Sequence, residues 1–248
     1  MNISVLASGS NGNSCLVETN KTSLLIDAGK SGREIESRMH SLGKSIEAIE
    51  AILITHAHHD HVQAAGILSR KYGMPIYMTP KVHEECSAKI GNGSSVVKYF
   101  SPEKEFSVSG QKIKPIPTSH NTPSCGFVID KFGLFTDTGI VTKEMEKVFP
   151  KLNTVLLESN HDIDMVLKGP YPYYLKKWIL SDEGHLSNIS AGQLIQERGD
   201  NLSLCLLGHL SGNNNTPELA KKTFETLVKK KVECNVCSRD RSSGTYSV

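Results

Sequence analysis

Several things are scarce in this chain of 248 residues, and each scarcity removes a class of protein. Long apolar runs are missing: stretches such as Ile3–Ala7 and Ala51–Ile54 fall far short of the roughly 20 residues that span a bilayer. The N-terminus shows no basic segment followed by a signal-type apolar core. The expectation is a soluble, cytoplasmic protein with no membrane partner. Charge of either sign is nearly balanced, at +2 with a pI of about 8.1. That permits a nucleic-acid or phosphate partner without demanding one, and no polybasic tail is present. The six cysteines, at positions 15, 86, 125, 205, 234 and 237, lie mostly inside apolar strand-like runs. They read as buried reduced thiols rather than a disulfide framework. Cys234 and Cys237 form the one Cys-x-x-Cys, and without a second pair they fit strand packing better than a zinc ribbon. No low-complexity linker and no repeat divides the chain, so residues 1–248 are expected to form a single domain.

The order of elements follows from punctuation and period. The first 30 residues alternate short apolar runs with Gly/Ser/Asn turns, which predicts a β-meander. Ser31 with Glu34 three residues on predicts a capped helix whose apolar positions Ile35, Met39 and Leu42 share a face. A buried strand "AILIT", a helix from about Val62 to Tyr72, the strand "PIYMT" and a helix near Lys81–Ile90 come next. Strands through "FSVSG", "QKIKPIPTSH", "SCGFVID" and "FGLFTD" follow. The last third adds the strands "NTVLLES" and "LSLCLLGH" and helices around Tyr171–Leu180, Ile189–Arg198 and Pro217–Lys230. Two β-rich halves with helices suggest an α/β architecture of layered sheets with helices outside.

What the chain does have is imidazole concentrated in one place. Four of its ten histidines fall with one aspartate in "HAHHDH", His56–His61, at the end of the apolar run Ile52–Thr55. Neutral histidine is a standard ligand for zinc and its relatives. His56 and His58, two apart where an extended chain opens into a loop, can converge on one metal. Asp60 and His61, at the start of the next helix, can serve a second, while His59 is left without a ligand role. Two pairs leave both metals short of ligands. Three apolar strands end in a ligand-type residue and can complete the set: "IPTSH" at His120, "GLFTD" at Asp137 and "LCLLGH" at His209.

This order of motifs, after "LLIDAG", resembles the metallo-β-lactamase-fold hydrolases over essentially the whole chain. The resemblance implies an αββα sandwich: two mixed β-sheets packed face to face, with helices on both outer faces and a dinuclear site at one edge. It also implies that His56, His58 and His120 bind one metal, that Asp60, His61 and His209 bind the other, and that Asp137 bridges them. Asp27 would support the ligands from behind, unless it caps a helix. In the phosphodiesterase branches a Glu and a non-ligand His form a pair, and here Glu158 would orient His185 as general acid or phosphate contact. The plainer alternative makes His185 a surface residue beside a helix cap.

"SGSNGNS", "LLIDAG", "THAHHDH", "ESNHD", "YPYYLKKWIL", "GHLSN" and "LGHLSGNNN", in that order, are similar to the YycJ/WalJ-like branch, which is associated with 5′ DNA exonuclease activity. The resemblance implies a phosphodiester hydrolase with DNA as substrate, two divalent ions (Zn²⁺ or Mn²⁺, or else Fe) and a metal-bridging hydroxide as nucleophile. Asp60, His185 and Glu158 would be its catalytic residues. Ser8, Ser10 and Asn13 in the opening turn, Asn160 and His161 after a buried strand, and Lys176 and Lys177 among aromatic rings are the substrate-contact candidates. The first and last groups have structural alternatives: a plain hairpin turn for the first, an amphipathic helix packing Leu175, Trp178 and Ile179 inward for the last. The competing functions are a cyclic-phosphate or other small-molecule phosphodiesterase, a thioester or lactam hydrolase, and a metal-stabilised binding module. Oligomeric state is not legible in the sequence.

Overall fold

A computed structural model describes residues 1–91 and 96–248. In chain order its elements are β1 (Asn2–Ala7), β2 (Ser14–Glu18), β3 (Ser23–Ile26), α1 (Gly32–Ser41), β4 (Ala51–Leu53), α2 (His59–Val62), α3 (Ala65–Tyr72), β5 (Ile76–Met78) and α4 (Pro80–Ile90). There follow β6 (Val97–Tyr99), β7 (Phe106–Val108), β8 (Gln111–Pro117), β9 (Cys125–Ile129), β10 (Phe132–Phe135), α5 (Lys143–Val148), β11 (Thr154–Glu158), α6 (Ile163–Lys168) and α7 (Tyr173–Ile179). The chain ends with α8 (Asn188–Arg198), β12 (Leu204–Gly208), α9 (Pro217–Leu227), β13 (Glu233–Val236) and β14 (Thr245–Ser247). These form two compact units, one from Met1–Pro115 with Ser238–Val248, the other from Ile116–Cys237.

In the first unit a mixed sheet runs in the order β14-β1-β2-β3-β4-β5-β6. The expected meander is its antiparallel part, β1-β2-β3, and parallel pairing begins between β3 and β4. Ser31 caps α1 by accepting from Glu34 N, as the capping signature predicts. Leu6, Leu25, Ile35, Met39, Ile52, Leu68 and Ile76 belong to one buried cluster, so the apolar faces of helix and strand meet in this unit's own core. The helix expected over 62–72 begins at Ala65 as α3, and the short α2 precedes it. Between them Ala64 N donates to Ala28 O, and Ala28 N takes the carbonyl of His61, each at 2.8 Å. A tertiary loop has claimed backbone groups that a continuous helix would need.

In the second unit β13, β12, β11 and β10 run parallel and β9 pairs antiparallel to β10, which makes this sheet mixed as well. The strand β8 leads into it after pairing with β7 as a hairpin. Its core gathers Phe135, Phe149, Val155, Leu157, Ile195, Leu207 and Phe224. The sequence reading missed α6, although Asp162 caps it by accepting from Met165 N. It also extended α9 too far: the helix stops at Leu227, Val228 is extended, and Lys229 N bonds to Gln196 Oε1. The lysine run at 229–231 is therefore not a helix end, and Lys230 pairs with Asp200 at 2.6 Å.

Three strands end alike. Asp27 after β3, Asp137 after β10 and His209 after β12 have positive φ of 59°, 58° and 54°. Non-glycine residues enter this region rarely and at a cost of order 1–3 kcal/mol each, and they do so where surrounding structure holds them for a purpose.

Candidate metal centre

The first unit holds three imidazoles in one group. The rings of His56 and His58 are 4.6 Å apart edge to face, and those of His56 and His61 are 4.1 Å apart. His61 Nε2 lies 3.5 Å from Asp60 Oδ2. Behind them sits Asp27, whose Oδ2 is 2.7 Å from His61 Nδ1 while Oδ1 accepts from Thr55 N at 2.9 Å. With Nδ1–H given to a carboxylate, the lone pair of His61 is on Nε2, the nitrogen next to Asp60. Thr55 Oγ1 also bonds to Asp27 Oδ2 and lies 3.0 Å from His56 Nδ1. The helix cap of α1 is Ser31, so Asp27 is a support for His61 and not a cap.

The second unit holds a matching group. Asp137, Glu158, His185 and His209 each offer a ligand-type atom, all within 4.8 Å of one another. His120 Nε2 is 3.8 Å from Asp137 Oδ1, and His209 Nε2 is 3.6 Å from the same oxygen. His120 gives Nδ1–H to Gly184 O at 3.1 Å, and burial pushes its imidazole below the ordinary value despite the nearby charge of Asp137. Glu158 Oε1 lies 2.8 Å from His185 Nδ1 and 2.7 Å from His209 Nδ1. Its other oxygen accepts from Thr138 N and Leu186 N. Burial works against this carboxylate's charge, but the two histidines outweigh it and hold the group at about 2.

This donor set fits a divalent metal. Neutral imidazoles whose Nδ1–H is fixed by a carboxylate or carbonyl present Nε2 as the ligand atom, and Asp137 adds a carboxylate. A family model described as "Beta-lactamase superfamily domain" matches residues 22–206. The chain belongs to the beta-lactamase superfamily. The Exodeoxyribonuclease WalJ of Streptococcus pneumoniae is 40% identical over 230 residues, 89% of this chain and 86% of the relative. The Exodeoxyribonuclease YycJ of Bacillus anthracis is 34% identical over 238 residues, 93% of this chain and 90% of the relative. The metallo-beta-lactamase fold protein YhfI from Bacillus subtilis superposes with a TM-score of 0.76 at 18% identity, covering 99% of both chains, and so shows the fold.

In this superfamily member the remaining candidates are distributed unevenly. Asn13 faces the imidazoles: its Nδ2 lies 3.0 Å from His61 Nε2 and 3.3 Å from Asp60 Oδ2. Ser8 is buried, with its N–H given to Ser238 O, whereas Ser10 is exposed. Asn160 and His161 are buried, which sets them against a direct substrate contact; Asn160 Nδ2 holds the carbonyl of His209 at 2.8 Å. Burial pushes His161 down to about 4. His59 is exposed. His83 lies 2.7 Å from Tyr99 OH.

Sequence reasoning missed Thr55, which ties Asp27 to His56, although it immediately precedes the histidine cluster. It also missed Gly184 O, the acceptor for His120, and the edge-to-face packing of Trp178 on His185 at 5.3 Å. A backbone carbonyl 64 residues away leaves no sequence signal. Among the described residues no helix is long and apolar enough to cross a membrane.

Proposed function

We propose that this protein is a dinuclear metal-dependent phosphodiester hydrolase that acts on DNA as an exonuclease from 5′ ends. The observation that carries the reading is the sharing of Glu158 Oε1 by His185 and His209. Histidine ligation alone would suit any hydrolase of this fold; a further histidine on the same carboxylate suits a leaving group that needs a proton. The 34–40% identity to relatives named exodeoxyribonucleases supports DNA as the substrate.

Following the family pattern, His56, His58 and His120 would hold one ion and Asp60, His61 and His209 the other, with Asp137 serving both. When bound, a pair of divalent ions supplies Lewis acidity and a water of lowered pKa. Zn²⁺, Mn²⁺ and Fe are each compatible with His/Asp donors. Everything else falls to the chain. Asp27 and Thr55 fix the rings of His61 and His56. Glu158, held anionic, orients His185 through Nδ1, so that a proton on Nε2 can pass to the departing sugar oxygen. The His185 side chain keeps 13% exposure. The two structural units are proposed to work as one catalytic domain. Six free cysteines, five of them buried, fit a reducing compartment, and we assign the protein to the cytoplasm.

Metal content near two per chain, together with digestion of linear DNA far faster than of a cyclic nucleotide, is the expected result. Turnover of the cyclic nucleotide alone would move the protein to the small-molecule class.

A further inference from the structure

Outside the histidine groups, one surface of the second unit departs from ordinary patterning. Four of the ten exposed large apolar side chains among the described residues fall within residues 167–180: Leu167, Tyr173, Tyr174 and Leu180, with Tyr173 at 81%. Tyr173, Lys176, Lys177 and Leu180 recur at i, i+3, i+4 and i+7, the spacing of a single helix face. Two of the four are apolar and two cationic. The stripe lines a groove of about 600 Å³ completed by Leu167 and Ser181, within the size range of ligand sites.

The groove is cationic as well as apolar. Lys176 Nζ donates to Leu167 O at 2.8 Å, which uses one of its three donors and fixes the ammonium at the groove wall. Lys177 is exposed. Among the described residues no carboxylate lines the groove; Asp164 of α6 is occupied by Lys168 at 2.8 Å, and Asp182 and Glu183 lie in the exposed loop beyond. An aromatic face flanked by ammonium groups is the chemistry that takes a base and its phosphates together.

The opposite side of the same helix serves the histidines. Trp178 packs on His185 at 5.3 Å and on His120 at 6.2 Å, and His185 N bonds to Ile179 O at 3.1 Å. A helix is about 10–12 Å across, or about three nucleotides at the ~3.4 Å spacing of one strand in duplex DNA. We propose that the Tyr173–Lys176–Lys177–Leu180 stripe is the platform on which the DNA strand lies: Tyr173 stacks a base, the lysines hold its phosphates, and the strand reaches His185 a few nucleotides away. This rests on the reading of the protein as a DNA hydrolase and adds where the strand is gripped.

The test is binding of a fluorescent single-stranded phosphorothioate oligonucleotide, which resists hydrolysis, to the purified full-length protein across a salt series. Tyr173→Ala should raise Kd about tenfold, and Tyr173→Trp should restore it, because stacking tolerates any aromatic ring. Lys176→Ala with Lys177→Ala should flatten the slope of log K against log salt by about 1.4, two phosphates at ~0.7 each on a single strand. Lys221→Ala with Lys222→Ala, the same charge change on exposed positions of α9, should leave Kd and slope unchanged. Binding by the Tyr173 and Lys176/Lys177 variants within twofold of wild type, with an unaltered slope, overturns the platform. Digestion of labelled DNA is scored separately. Digestion with variant-independent binding would remove the platform alone, whereas Tyr173-dependent binding without digestion would uphold the platform and remove the exonuclease reading.

Discussion

Nδ1 of His185 lies 2.8 Å from Oε1 of Glu158, the same oxygen that lies 2.7 Å from Nδ1 of His209. One buried carboxylate thus orients two histidines, His209 proposed as a metal ligand and His185 proposed as the proton donor. The two roles can be separated experimentally, because a proton donor matters only when the leaving group is poor.

His185→Gln should lower kcat on DNA by about 100- to 10,000-fold, the usual range for a lost general acid. Metal content should be unchanged. With a p-nitrophenyl phosphodiester, whose leaving group needs no proton, the loss should be below about tenfold. Equal losses on both substrates would remove His185 from the proton-transfer step.

Glu158→Gln takes the anionic acceptor from both rings. Metal affinity and activity should each fall by about 10- to 100-fold, as for other supports of ligating histidines. Metal titration read alongside the rate checks it, and unchanged metal affinity would limit Glu158 to His185.

Asp27→Asn should act on metal affinity alone. It weakens the acceptor that fixes the His61 tautomer at 2.7 Å, and the expected loss is again about 10- to 100-fold. Excess metal should restore the rate, a result readable by titrating the apo protein.

A Cβ built on Gly29 would lie 1.6 Å from the carbonyl oxygen of Asp60 and 2.7 Å from Asn13 N. Gly29→Ala must therefore push back the loop that carries Asp60 and His61. The expected cost is about 1–3 kcal/mol of stability, with metal content reduced at saturating metal. Urea unfolding and metal analysis of the variant report the two effects.

His161 is buried and pushed down to about 4 by desolvation, against an ordinary value of 6.5. The unfolded chain then binds the extra proton between these values, so stability is fully present above pH 6.5 and falls as the pH drops toward 4. The contribution between pH 7 and pH 5 is about 2 kcal/mol. Urea titrations of the metal-free protein at both pH values should show His161→Gln losing less than wild type by about that amount.

Much of the fold and of the candidate site was legible because it is written locally. A capping serine, an apolar run and a terminal histidine or aspartate each leave a mark within a few residues, and the capped start of α1 and the strand-terminal positions of Asp137 and His209 follow from such marks. What stayed hidden depends on distant partners. The break between α2 and α3 follows from the loop at Ala28, and the early end of α9 from Gln196. The fixing of His120 by Gly184 O depends on folded geometry that no spacing rule encodes. Asn13 sits in a glycine-broken turn that looks made for phosphate, yet its amide faces His61 and Asp60, a contact across 47 and 48 residues.

The most direct measurement is Mn²⁺-supported digestion of linear duplex DNA labelled separately at each end, comparing wild type with Asp60→Ala and His185→Ala. The account predicts stepwise release from the 5′ end, abolished by Asp60→Ala and slowed at least 100-fold by His185→Ala. A metal-loaded wild-type protein that cleaves neither duplex nor single strand would contradict it.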